Sequence, residues 1–114
     1  MDVGQFLNRL LEELSQLPFV ENVDFNTEVF IVKGKVFLGL SHFLQIYFNS
    51  RTGTTAFALI RKGRRIWGID FDSLRGWHLH PVDNPDGHVK ISPKTVKEII
   101  AEFASVWSSC GDRS

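Results

Sequence analysis

Three of the four histidines in this chain fall between residues 78 and 88, directly after a strand-like run that carries Asp70 and Asp72. Imidazole gives and takes a proton near neutrality without large perturbation, and a neighbouring carboxylate orients its ring. Side chains of a strand alternate between faces. Over Arg64–Asp72, Trp67, Ile69 and Phe71 share one face, begun by Arg65, while Arg64, Ile66, Gly68, Asp70 and Asp72 share the other. Over Trp77–His80, His78 and His80 share a face, with Trp77 and Leu79 opposite. If the two runs form a hairpin, loop parity decides which residues meet. A five-residue loop, Ser73 to Trp77, opposes Asp72 to His78 and Asp70 to His80. A four-residue loop opposes Phe71 to His78 and scatters the polar set. The odd loop is expected, because it gathers the polar side chains on one face, presented to water.

That cluster suits cleavage of an RNA phosphodiester. His78 and His80 would act as the acid/base pair, with Asp70 orienting one of them. One group takes the 2′-OH proton and the other protonates the leaving oxygen. Arg61, Arg64 and Arg65 from the preceding turn, and Arg75 from the loop, would hold phosphate through paired N–H donors. Tyr47 or Trp77 would stack a base. A second chemistry uses the same residues: His78 and His80 with Asp70 or His88 supply the nitrogen and oxygen ligands of zinc or another divalent ion. Plainer readings also exist. His-x-His and the two aspartates suit a solvated edge strand. Asn84-Pro85-Asp86-Gly87 suits a plain turn, and the arginines suit a solvated hairpin. No glycine-rich phosphate loop, Ser-His-Asp order or cysteine-nucleophile context is present.

The elements that must position these residues are legible in the period of the apolar side chains. Val3, Phe6, Leu7, Leu10, Leu11, Leu14 and Leu17 recur at helical steps over Asp2 to Leu17, with Asp2 as cap and Pro18 as stop. The period then falls to two. Strands are expected over Val20–Phe25, Glu28–Gly39, His42–Asn49, Thr55–Lys62 and Arg64–Asp72, with turns at Gly53 and Gly63, and the segment Trp77–Pro81 follows. A closing helix begins with Ser92 as cap and Pro93 in its first turn, buries Val96, Ile99, Ile100 and Phe103, and ends at Gly111. The expectation is one α+β domain over residues 1–114: a curved, mostly antiparallel sheet of about five to six strands between an N-terminal helix and a C-terminal helix packed on one face.

The 114 residues hold 13 basic and 13 acidic side chains, so the formal net charge is zero. That excludes a uniformly basic nucleic-acid coat protein but leaves room for a local patch. Arg51 to Ile69 carries bases and no acid, and Asp70 to Asp86 follows as an acidic stretch. No run of about 18 apolar residues suggests a membrane span, and the N-terminal residues lack signal-peptide character. The lone Cys110 reads as an incidental residue of a polar tail. A cytoplasmic domain is expected.

The series Arg65-Ile66-Trp67-Gly68-Ile69-Asp70, Trp77-His78-Leu79-His80-Pro81, Asn84-Pro85 and His88-Val89, followed by a charged closing helix, resembles the TumE-like family of toxins from prokaryotic toxin–antitoxin pairs. The resemblance runs over roughly residues 28–107 and is strongest at 64–90. It implies a growth-inhibiting toxin neutralised by a cognate helix-turn-helix antitoxin. Arg65, Asp70, His78 and His80 match the motif, and His88 matches beside them. Joined to the His/Asp/Arg chemistry above, the expectation is a toxin-like ribonuclease that needs no cofactor. The alternatives are a binding module for protein or nucleic acid, and a metal-dependent hydrolase using the same histidines. A homodimer would cover the sheet's edges.

Overall fold

The computed structural model describes residues 1–111. Helix α1 spans Val3–Leu14. Asp2 caps it: one carboxylate oxygen accepts the Gln5 N–H at 2.8 Å, and the Gln5 side-chain oxygen accepts the Asp2 N–H at 2.9 Å. The helix stops short of Leu17, because Gln16 and Leu17 turn back onto the carbonyls of Glu13 and Leu14. Seven strands follow: β1 (Val20–Thr27), β2 (Ile31–Leu38), β3 (His42–Asn49), β4 (Thr55–Arg61), β5 (Arg64–Asp72), β6 (Gly76–His80) and β7 (Val89–Lys90). Helix α2 spans Val96–Gly111.

The strands form one antiparallel sheet in chain order, each paired with its neighbours in sequence. The seventh strand, beyond the five or six expected, is a two-residue segment too short to show a period. The β4–β5 hairpin closes through Lys62 and Gly63, both at positive φ (50° and 77°). Such a turn matches the right-handed twist of the strands it joins.

The cap of α2 falls three residues later than Ser92. Thr95 Oγ1 accepts the Glu98 N–H at 3.2 Å, and a Glu98 carboxylate oxygen accepts the Thr95 N–H at 2.9 Å. This reciprocal pair satisfies two helix-end donors. A start at Ser92 would place Thr95, not an acid, at the third helical position. Cys110, expected in a tail, falls within the bounds of α2, and its side chain lies outside the described residues.

Both helices lie against one face of the sheet. Phe6, Leu10 and Leu14 of α1 and Val96, Ile99, Ile100 and Phe103 of α2 bury against Val32, Val36, Leu44, Ile46, Phe57, Leu59, Trp67 and Ile69. Phe6 stacks on Phe48 with centroids 4.2 Å apart. Among the described residues no helix is long and apolar enough to cross a membrane.

Among the described residues no helix lies over the other face, and the registers line its residues into rungs. One rung runs Asn26, Lys33, Tyr47, Ala56, Asp70, His78, Lys90. The next runs Asp24, Lys35, Gln45, Ala58, Gly68, His80. A third runs Phe37, Phe43, Ile60, Arg65.

Phe103 is fully buried between Phe19 and Trp67. Phe103→Ala should cost about 3–5 kcal/mol of unfolding free energy, read as a lowered urea midpoint with an unchanged slope.

Candidate functional site

The β5–β6 hairpin closes over three residues, Ser73-Leu74-Arg75, so Asp72 faces Gly76, Asp70 faces His78 and Gly68 faces His80. The parity is odd, as expected, but the register is two residues tighter than a five-residue loop gives. The turn's own chemistry sets this. Asp72 Oδ1 accepts the backbone N–H groups of Arg75 (2.7 Å) and Leu74 (3.0 Å), and Gly76 takes the left-handed conformation at φ 73°. The Arg75 N–H bond, helped by that of Leu74, holds the Asp72 carboxyl below the ordinary value of 3.8, against the opposing effect of desolvation.

Asp70 is the centre of the cluster. Its Oδ2 lies 2.9 Å from His80 Nε2, 3.5 Å from His78 Nε2 and 3.9 Å from Arg65 Nη1. His80 thus meets Asp70 on the diagonal rather than straight across. The other ring nitrogens face backbone carbonyls: His78 Nδ1 lies 3.1 Å from Gly76 O, and His80 Nδ1 lies 3.1 Å from Pro85 O. A carbonyl only accepts, so these contacts assign the proton to Nδ1 in both rings. Both Nε2 atoms then face one carboxylate oxygen, an arrangement that favours a cation between them.

His88 completes the group. Its ring centroid lies 4.7 Å from that of His80 and 5.3 Å from that of His78. Its Nε2 accepts from Arg75 Nη1 at 3.0 Å. Desolvation first, then the charges of His80, Arg75, His78 and Arg65, lower its pKa below the ordinary 6.5. One ligand atom each from His78, His80 and His88 lies within 4.8 Å of the others, so the group could hold a metal ion. Zinc sits about 2.0–2.1 Å from each imidazole nitrogen, so binding would draw the rings inward. His88, the exposed member, is the one with room to move.

Neither His78 nor His80 faces water, contrary to the sequence expectation: they are 5% and 1% exposed. The segment Pro81–His88 folds back over the helix-free face, held to His80 through Pro85 O and closed by Asn84 N–H to Pro81 O and Gly87 N–H to Asn84 O. The turn at Asn84–Gly87 therefore serves as the roof of the cluster. Gly68 is its floor: a Cβ there would lie 2.9 Å from Phe57 O and 3.6 Å from the His80 ring.

Arg65 was expected to begin the apolar face of β5. A bulge corrects this. Leu59 pairs with Trp67 while Ile60 pairs with Arg65, so Ile66 is the extra residue and Arg65 turns to the Asp70 face. Its Nε is buried without a hydrogen-bond partner among the described residues. Arg61, Lys62, Arg64 and Arg65 line a cleft of about 600 Å³ beside the cluster, closed on the far side by Pro85 and Asp86. Arg75 reaches the histidines from the loop. Trp77 does not join them. It points to the helix side, its ring 5.3 Å from that of Phe71, and lines a separate cavity with Phe6 and Phe48.

No family model, curated protein or solved structure matches the chain.

His88 carries a lowered pKa in the fold, so between that value and its unfolded one the unfolded chain binds more protons. Stability should fall as pH drops from about 7 through that window. In His88→Gln the loss in urea midpoint between about pH 7 and pH 5 should be smaller than in the native chain.

Proposed function

We propose that the chain is a metal-dependent phosphoesterase. A divalent ion of the zinc class is held by His78, His80 and His88 with Asp70 beside it, and an anionic ester enters along the arginine-lined cleft. The observation that carries this reading is the convergence of two buried Nε2 atoms on Asp70 Oδ2, each ring fixed in that orientation by a carbonyl on its Nδ1. Backbone carbonyls commonly set the tautomer of metal-binding histidines in this way. A metal-free acid/base pair would flank a scissile bond from two sides. These rings instead meet at one point and are sealed from solvent.

Bound there, the ion supplies Lewis acidity and a water of lowered pKa. The protein's own groups do the rest. Arg65, 3.9 Å from Asp70, joins the cluster to the cleft and can turn its unpartnered Nε toward a phosphate oxygen. Arg61, Lys62 and Arg64 raise the local concentration of anions. His88 sits at the rim, between the buried rings and water. In the cell, this activity would serve the growth-inhibiting role implied by the resemblance to TumE-like toxins, with a helix-turn-helix antitoxin as the neutralising partner.

Chain stripped by a chelator should take up one zinc or manganese ion per molecule, with a raised Tm. Its hydrolysis of bis(4-nitrophenyl) phosphate should vanish with EDTA and return with the metal. His78→Ala and His88→Ala should each lower metal affinity at least about tenfold. The exposed His88 variant should cost no more than about 0.5 kcal/mol of metal-free stability. Hydrolysis that ignores EDTA and follows a bell-shaped pH profile would replace this reading with the metal-free acid/base one.

A further inference from the structure

We propose that the helix-free face of the sheet is a track for single-stranded nucleic acid, leading to the Asp70 cluster. The inference rests on the phosphoesterase reading for its destination and names the substrate class. It starts from a feature that reading does not use: the face carries aromatic rings and cations in an order set by the strand registers.

The rung that contains Asp70 and His78 passes through Ala56 to Tyr47 and Lys33. Neighbouring strands lie about 4.8 Å apart, so Tyr47 stands roughly 10 Å from Asp70 along this rung, with only Ala56 between them. The adjacent rung places Ala58 and Gly68 between Gln45 and His80. Small side chains therefore floor a shallow trough. Phe43 and Tyr47 of β3 rise on one side of it and the Pro81–His88 segment on the other.

The aromatic side is not sealed. Phe37 is 36% exposed, and Phe43 and Tyr47 are half-buried. Phe37 and Phe43 pack at 6.3 Å, and Lys35 Nζ sits 4.6 Å over the Phe43 ring. Tyr47 is steadied by Asn49 Nδ2, which donates to its hydroxyl at 3.3 Å. Lys33, Lys35, Lys90 and Arg65 on these rungs face Asp24 and Asp70, and Asp70 is already engaged by Arg65 and the imidazoles.

Rings at this spacing among cations, on an open sheet face, match what an unpaired polynucleotide needs. Bases stack on Phe43 and Tyr47 while the lysines neutralise the backbone. A duplex hides its base faces and gains only the charge term.

The test measures binding under chelation, so that no cleavage occurs. A fluorescent oligouridylate of about twelve nucleotides, read by anisotropy at low salt, should bind more tightly than a duplex of the same length. Phe43→Ala and Tyr47→Ala should each weaken it by about five- to a hundredfold. Tyr47→Phe should restore it, and Lys33→Glu with Lys35→Glu should flatten the salt dependence. Tm values of the variants separate lost binding from lost fold.

The track is overturned by equal affinity for duplex, by aromatic variants that bind normally while folded, or by no binding at all. It is also overturned if the face instead pairs two copies of the chain, seen as a dimer that Phe43→Ala dissociates and that takes up no oligonucleotide. If the native chain hydrolyses bis(4-nitrophenyl) phosphate but fails these binding assays, only the track falls. Binding without hydrolysis leaves the track standing and removes the phosphoesterase reading.

Discussion

A carboxylate oxygen that faces two imidazole nitrogens in a nearly closed space is an electrostatic demand. The Asp70 side chain is only 20% exposed, and the rings at 2.9 and 3.5 Å are more buried still. Each ring has its other nitrogen committed to a carbonyl, so neither can rotate away without leaving that carbonyl unpaired. That point favours positive charge, and Arg65 supplies some of it from 3.9 Å. A buried carboxylate deprived of such partners would be among the costlier features a fold of this size could carry.

The surrounding architecture follows from meeting that demand. Gly68 lies under the His80 ring and lets the Phe57 carbonyl approach, where a Cβ would come within 2.9 Å of that oxygen. The bulge at Ile66 swings a guanidinium onto the same face. The tight turn at Asp72 draws β6 into the register that sets His78 straight across from Asp70. The segment after β6 then returns over the rings and pairs again as β7. On the far side of the sheet, Trp67, Ile69 and Leu79 alternate with these polar residues and bury under the helices. One pair of strands thus anchors the core with half its side chains and builds the cluster with the other half.

Much of this was legible in the amino-acid order, for identifiable reasons. Alternation is local, so the shared face of Asp70, His78 and His80 follows from counting by two. The strands His42–Asn49 and Arg64–Asp72 are bounded as their β-branched and aromatic content suggests. Register is set by a turn, and the Asp72 side chain that shortens the loop competes with longer loops of the same parity, so counting alone did not select it. The bulge left no mark in residue type: Ile66 reads equally well as an ordinary strand residue. The burial of His78 and His80 depends on a turn-rich segment folding back across the sheet, a contact beyond any local pattern. The start of α2 was misplaced because Ser-Pro is a strong cap signal, whereas the reciprocal bonds of Thr95 and Glu98 are a stronger device. Trp77 was assigned to the cluster on its chemistry alone, although alternation had already sent it to the other side.

The last feature is the brevity of β7. Its two residues pair with His78 and Leu79, and the returning segment is held besides by the Ile91 N–H on Trp77 O at 3.2 Å, by Pro85 O on His80 and by Arg75 on His88. Opening so short an edge breaks fewer contacts than opening the longer strands behind it, and local stability follows that number. Access to the imidazoles is therefore a property of the outermost margin, separable from the integrity of the barrel-free sheet and its helices. A group that reaches those rings crosses this margin, not the packed layers beneath it.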